Sequence, residues 1–159
     1  MIKHSFAVLF GLLLLLVWPT WALASLHAHP DQNGIPVVRS LESLRDRNER
    51  SWQLIAWRQG PAGGDLTLRV VGYPGRLRLD HPSPLKVQGG LQSWVLDDIT
   101  LDNPSLAADG RAAAFEFDLE PLIRDLDRNR PLEISLPGAF MALPVPPYVV
   151  AEWRSLPEA

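Results

Sequence analysis

Apolar residues recur at every second position in short runs along most of this chain, and clusters of proline and glycine separate the runs. Between Asp65 and Tyr73, Leu66, Leu68 and Val70 alternate with Thr67 and Arg69, the period of a half-buried strand. "RLRLD" (76–80) alternates again through Leu77 and Leu79, "AAAFEFD" aligns Ala113, Phe115 and Phe117, and "PLEISLP" aligns Leu132, Ile134 and Leu136. "SWVLDDITL" reads as a further strand, and "SPLK" as a turn leading into one. "MALPVPP" suits an edge strand, where a missing N–H breaks no ladder. A chain written this way folds as an antiparallel sheet.

The stretch from about Val37 to Gln59 reads as a hairpin. A strand over 37–45 turns through "DRNE" and returns over 51–59, with Asn48 expected to adopt the positive φ of the turn. In the return strand Trp52, Leu54 and Ala56 share one face while Ile55 and Trp57 take the other. Apolar residues on both faces place that strand inside a sheet.

Two short helices complete the pattern. Leu119, Leu122, Ile123 and Leu126 follow helical spacing behind Asp118 as N-cap, with Pro121 in the first turn. Near the end Pro147 opens a second helix, Val149, Val150, Trp153 and Leu156 form its stripe, and Pro157 stops it. "DNPSLAADG" (102–110) is expected to be a polar loop. The expected architecture is mainly β, with α+β as the variant: one antiparallel barrel- or sandwich-like domain of about eight short strands and two short helices. No strand–helix–strand rhythm suggests a doubly wound nucleotide-binding fold.

The N-terminus carries an export pattern. "MIKHS" is basic, residues 6–18 are uncharged and mostly apolar, and Ala22 and Ala24 sit at the minus-three and minus-one positions of a cleavage site. The expected organisation is a signal peptide over 1–24, a flexible leader over 25–36 and a β-rich domain over 37–159. The protein is then extracytoplasmic, touching a membrane only through the uncleaved signal.

From Ser25 onward 14 basic residues, all arginine except Lys86, face 18 acidic ones, a net charge of −4. No basic stripe marks a nucleic-acid partner. The chain has no cysteine, which removes thiol catalysis. Ser83 to Lys86 matches S-x-x-K in letters only; it contains Pro84 and lacks the accompanying motifs. Asp97, Asp98 and Glu116 read as surface acids, and a carboxylate-dependent hydrolase built on them is the alternative reading. No catalytic residue is assigned.

Three aromatics are candidates to face a ligand or partner: Trp57, on the second apolar face of its strand, and Tyr73 and Tyr148, each beside a proline. His81, in "DHP", reads as a turn residue. His27 and His29 lie in the leader. After cleavage, Ser25, Leu26 and His27 would offer Cu(II) or Ni(II) an amine, two amide nitrogens and an imidazole, with His29 as an added ligand. No cofactor is expected beyond such adventitious copper.

"ASLH", "SLESLRDRNERSWQL", "LTLRVVGYPG", "PLEISLP" and "VPPYVVAEW" together resemble a cyanobacterial family of small exported proteins of unknown function, over nearly the whole length after the signal. That family often has a glycine in the hairpin turn, where this chain has "RDRNER". The resemblance implies the periplasm or the thylakoid lumen, and no activity, cofactor or site residue. The function expected is that of a non-catalytic binding or accessory module for an unknown protein partner or a small apolar ligand.

Overall fold

The computed structural model describes residues 26–159; the expected signal peptide and Ser25 lie outside the described residues. Nine strands form two antiparallel sheets. The first holds, in spatial order, β1 (His27–Pro30), β2 (Pro36–Arg45), β3 (Ser51–Gln59), β4 (Leu66–Val71) and β7 (Ala114–Asp118). The second is ordered β6 (Gln92–Leu96), β5 (Leu85–Gly89), β8 (Leu132–Leu136) and β9 (Phe140–Val145). Their inner faces share one hydrophobic core, so the architecture is a sandwich and not a closed barrel. A bridge from Asp98 to Phe117 carries the chain from the end of β6 to β7 of the other sheet.

Alternation explains the core. Trp52, Leu54 and Ala56 of β3, Leu66, Leu68 and Val70 of β4, and Phe115 and Phe117 of β7 all point inward and are buried. They meet Leu85, Val87, Leu132, Ile134, Leu143 and Val145 of the second sheet. Burying each large side chain contributes roughly 1.5–3 kcal/mol. Trp52 tilts against Phe140 with ring centroids 4.7 Å apart, tying the hairpin to β9.

Short helices close the gaps. α1 (Pro104–Ala107) is capped by Asn103, whose side chain accepts the N–H groups of Ser105 and Leu106. α2 (Glu120–Asp125) buries Leu122 and Ile123. α3 (Pro147–Ser155) buries Val149, Val150 and Trp153, and Leu156 follows them into the core. Among the described residues no helix is long and apolar enough to cross a membrane.

Several local expectations change. The positive φ of the β2–β3 turn belongs to Glu49 (φ 60), not to Asn48. Asp46 N–H donates to Arg50 O at 3.0 Å and closes a three-residue loop, which needs its left-handed residue last. Residues 76–80 form no strand: Leu77 is buried as the alternation implies, but Gly75 and Leu77 bond the carbonyls of Arg111 and Ala112, outside any ladder. The expected loop 102–110 contains α1. Asp118 stands one residue before the N-cap position, and its carboxylate accepts the Glu120 N–H at 3.0 Å.

The stretch read as a leader carries β1, in register with β2 from His27 opposite Arg39 to Pro30 opposite Pro36. Asp31 N–H donates to Ile35 O at 2.8 Å. Hydrogen-bonded pairs alternate along an antiparallel ladder. The two prolines therefore face each other at a position that needs no N–H, and His27 pairs with Arg39 at one that uses it.

Candidate functional site

The outer face of the five-stranded sheet presents the side chains that alternate away from the core. Register lines them up in rows: His27, Arg39, Trp57 and Thr67 in one, Leu41, Ile55, Arg69 and Glu116 in the next. Arg39 and Leu41 are exposed, Ile55, Trp57 and Arg69 half-buried, so this face lies open to solvent at its centre. The Arg69 guanidinium sits over the Trp57 ring, 5.1 Å from its centroid. Such a contact contributes about 0.5–1 kcal/mol at an exposed site.

Arg69 is itself held from behind. Its Nε donates to Glu116 Oε1 at 2.8 Å, and Nη2 donates to the same oxygen. Asn103 Nδ2 reaches both Glu116 oxygens at 3.2 Å. Glu116 is buried although it points outward, because the Thr100–Asp102 turn and the start of α1 fold over β7. The Arg69 guanidinium over the ring is therefore itself set in place by charge-assisted bonds. Arg39, across the β2–β3 ladder from Trp57, has no hydrogen-bond or ion-pair partner among the described residues. Exposed arginine beside a presented indole is the composition that binding surfaces favour.

The other sequence candidates lie apart from Trp57. Tyr73 is exposed and lines an open groove of about 500 Å³ with Glu49, Arg50, Trp52, Gly72 and Arg76. Tyr148, at the start of α3, donates to Glu42 Oε2 at 3.4 Å. Burial pushes the Glu42 carboxyl up and the nearby Glu152 charge adds to this, while the Tyr148 hydrogen bond offsets part of it. Ser25 lies outside the described residues. His27 and His29 are exposed on β1. Their outward neighbours are Arg39 and Val37, and Arg39 is a cation that disfavours a metal ion beside it. Among the described residues no group of three or more His, Asp or Glu side chains is gathered to hold a metal.

The acids considered for hydrolysis have structural tasks. Asp98 Oδ1 accepts Thr100 N–H at 3.0 Å and Thr100 Oγ1 at 2.5 Å. Its Oδ2 accepts Ser83 N–H at 2.8 Å and faces His81 Nδ1 at 2.7 Å. Burial pushes the Asp98 carboxyl up, but these hydrogen bonds outweigh it and hold it below the usual carboxylate range. A carboxylate this well satisfied is a poor general acid. Asp97 is exposed.

Sequence reasoning placed Trp57 on an outer face but missed what braces it. Arg69 and Glu116 are 47 residues apart in the chain, and the only hint was that Arg69 occupies the polar phase of an alternating strand. It also missed the His81–Asp98 pair, which no local motif announces. No curated protein and no solved structure matches the chain. Residues 24–156 match the model of a protein family of unknown function, DUF3122, and the chain belongs to that family.

Proposed function

We propose that this protein is a non-catalytic binding module that works outside the cytoplasm, and that it docks an acidic segment of a protein partner on the open face of its five-stranded sheet. The observation carrying this reading is the Trp57 ring, fixed by Arg69 and Glu116 and standing next to the unpartnered Arg39. A carboxylate-bearing segment would pair with Arg39 while an apolar side chain lies against Trp57, Ile55 and Leu41. The body of the protein is otherwise acidic, so the basic edge of this face also orients an approaching acidic partner.

Export rests on the order of basic, apolar and small residues over 1–24. The family match, beginning at Ala24, supports a seam at the same place. Cyanobacterial origin, and the periplasm or thylakoid lumen as compartment, belong to the same proposal and rest on the sequence resemblance.

Affinity capture from soluble and membrane extracts tests the docking face, using the parent and the Trp57→Ala and Arg39→Glu variants, each checked for an unchanged fold by circular dichroism. The parent should retain a partner that both variants lose. Raising salt to about 0.5 M should weaken that capture, since exposed charge contacts are screened. A partner held equally by the parent and both variants would place the interface elsewhere.

A further inference from the structure

His81 lies at a cleft of about 340 Å³ with mixed walls, Leu79, Leu101 and Leu106 on the apolar part and Arg78, Thr100 and Asp109 on the polar part. The cleft is formed by the turns after β4 and by the connection that crosses to β7, away from the Trp57 row. Its volume is at the small end of ligand pockets, which span ~300–1,000 Å³, so it suits a single ring or a short chain. Within this wall the imidazole is fixed on two sides. It stacks on Phe115 at 4.4 Å with an interplanar angle of 25°, and its Nδ1 is 2.7 Å from Asp98 Oδ2.

Asp98 is ionised and already accepts from Ser83 and Thr100. It can only be an acceptor toward His81, so the Nδ1 proton belongs to that bond and Nε2 is the ring nitrogen left for another partner. Nε2 has no partner among the described residues, and His81 is about a quarter exposed where it lines the cleft. The ring is thus held in one orientation at the wall of the cleft.

We propose that the cleft binds a small monocarboxylate with an apolar body, its carboxylate bonded to Nε2 of His81 and its ring or chain packed against Leu79, Leu101 and Leu106. The ligand enters already ionised, the proton that Nε2 donates to it comes from the solvent, and the Asp98 carboxylate behind the ring balances the resulting imidazolium. Arg78 stands at the cleft and adds a second cation. Asp109, also on its wall, is neutralised by Arg111, whose Nε lies 2.8 Å from Oδ1. A neutral alcohol or amide of the same shape would form only a neutral hydrogen bond, about half as strong as a charge-assisted one.

The test is a titration of 15N-labelled protein with sodium benzoate and sodium hexanoate, and with benzyl alcohol as the neutral analogue, followed on the imidazole nitrogens and backbone amides. Both acids should give saturable shifts at His81 and at Ala112, Ala113 and Phe115, and benzoate should bind at least about tenfold more tightly than benzyl alcohol. Ala107→Trp, at the exposed rim, should abolish the response while leaving the His81–Asp98 bond intact; His81→Asn should abolish it too. The proposal is overturned if neither acid gives a saturable shift by about 20 mM, a concentration that would reveal even millimolar affinity. It is equally overturned if benzyl alcohol binds as well as benzoate, or if Ala107→Trp binds like the parent. None of these outcomes depends on the Trp57 face.

Discussion

Asp46 is the sharpest place to perturb the fold, because one carboxylate organises the whole β2–β3 turn. Its Oδ1 accepts the N–H groups of Asn48 and Arg50 at 2.8 and 3.0 Å, and its Oδ2 accepts Arg50 Nε at 2.8 Å and Trp52 Nε1 at 3.0 Å. Burial pushes the carboxyl up, but the bonds from Trp52, Arg50 and Asn48 outweigh it and bring it down to about 2, from 3.8. A depressed folded-state value means stability that is present above the unfolded value and lost as pH falls through the folded one. The shift corresponds to ~2 kcal/mol at neutral pH, with about 1 kcal/mol of it gone by pH 3. Solvent close to the turn makes these upper figures. Asp46→Ala goes further, since it strands the buried Trp52 N–H and uncouples Arg50, and it should cost about 2–4 kcal/mol. Asp46→Asn keeps one acceptor and should cost about 1–2 kcal/mol at pH 7. Urea unfolding of parent and Asp46→Asn at pH 7 and pH 3 measures both effects. The gap between the two proteins should narrow by roughly half on acidification, following the titration above. Equal midpoints at pH 7, or a gap that does not change with pH, would refute the role assigned to the charge.

Three further outcomes are expected. Glu49→Gly should raise the thermal midpoint, because Glu49 holds φ 60 on the surface and glycine relieves a strain of about 1 kcal/mol; its exposed pair with Arg45 at 3.5 Å subtracts little. Gly72→Ala should lower the midpoint, by about 1–3 kcal/mol in unfolding free energy, because its Cβ would stand 2.5 Å from Trp52 Cζ3 and Trp52 is locked in the core. In a chain beginning at Ser25, Ni(II) bound through the Leu26 and His27 amides must take the His27 N–H out of the β1–β2 ladder. Hydrogen exchange should therefore speed up at His29 and Val37 on adding Ni(II), and His27→Ala should remove the effect; unchanged exchange with nickel bound would show that β1 stays in place.

Legibility followed the range of the forces. β2, β3, β4, β8, β9 and the terminal helix were readable because each buries one face and the period of its apolar residues reports that face directly. Residues 76–80 failed for the complementary reason. Alternation reports which side chains are buried, and Leu77 is, but hydrogen bonding to a neighbouring strand is a separate condition. By sequence β1 looks like a leader because it is polar and contains Pro30. It is a strand because Pro30 faces Pro36 where neither needs a donor, a fact about register that one strand cannot disclose. Glu49 took the turn's positive φ because the loop length dictates which position is left-handed, and that geometric demand outweighs the preference of Asn48.

Both sites depend on a segment that no periodic pattern could have marked. Thr100 Oγ1 donates to Asp98, which orients His81, and accepts the backbone N–H of Glu116 at 3.0 Å. Three residues on, Asn103 caps α1 and bonds the Glu116 carboxylate that steadies Arg69 and Trp57. The buried polar atoms here are costly unless satisfied, and they satisfy one another, so the short stretch from Asp98 to Asn103 is pinned at both ends by opposite tasks. By sequence Asp98 and Glu116 read as surface acids because exposed carboxylates are the norm. What makes them otherwise is the fold of this segment over β7, which removes water from Glu116 and brings Asp98 to His81. The same segment serves the cleft on one side and the sheet face on the other, so its polar residues hold two surfaces in register with a single set of bonds.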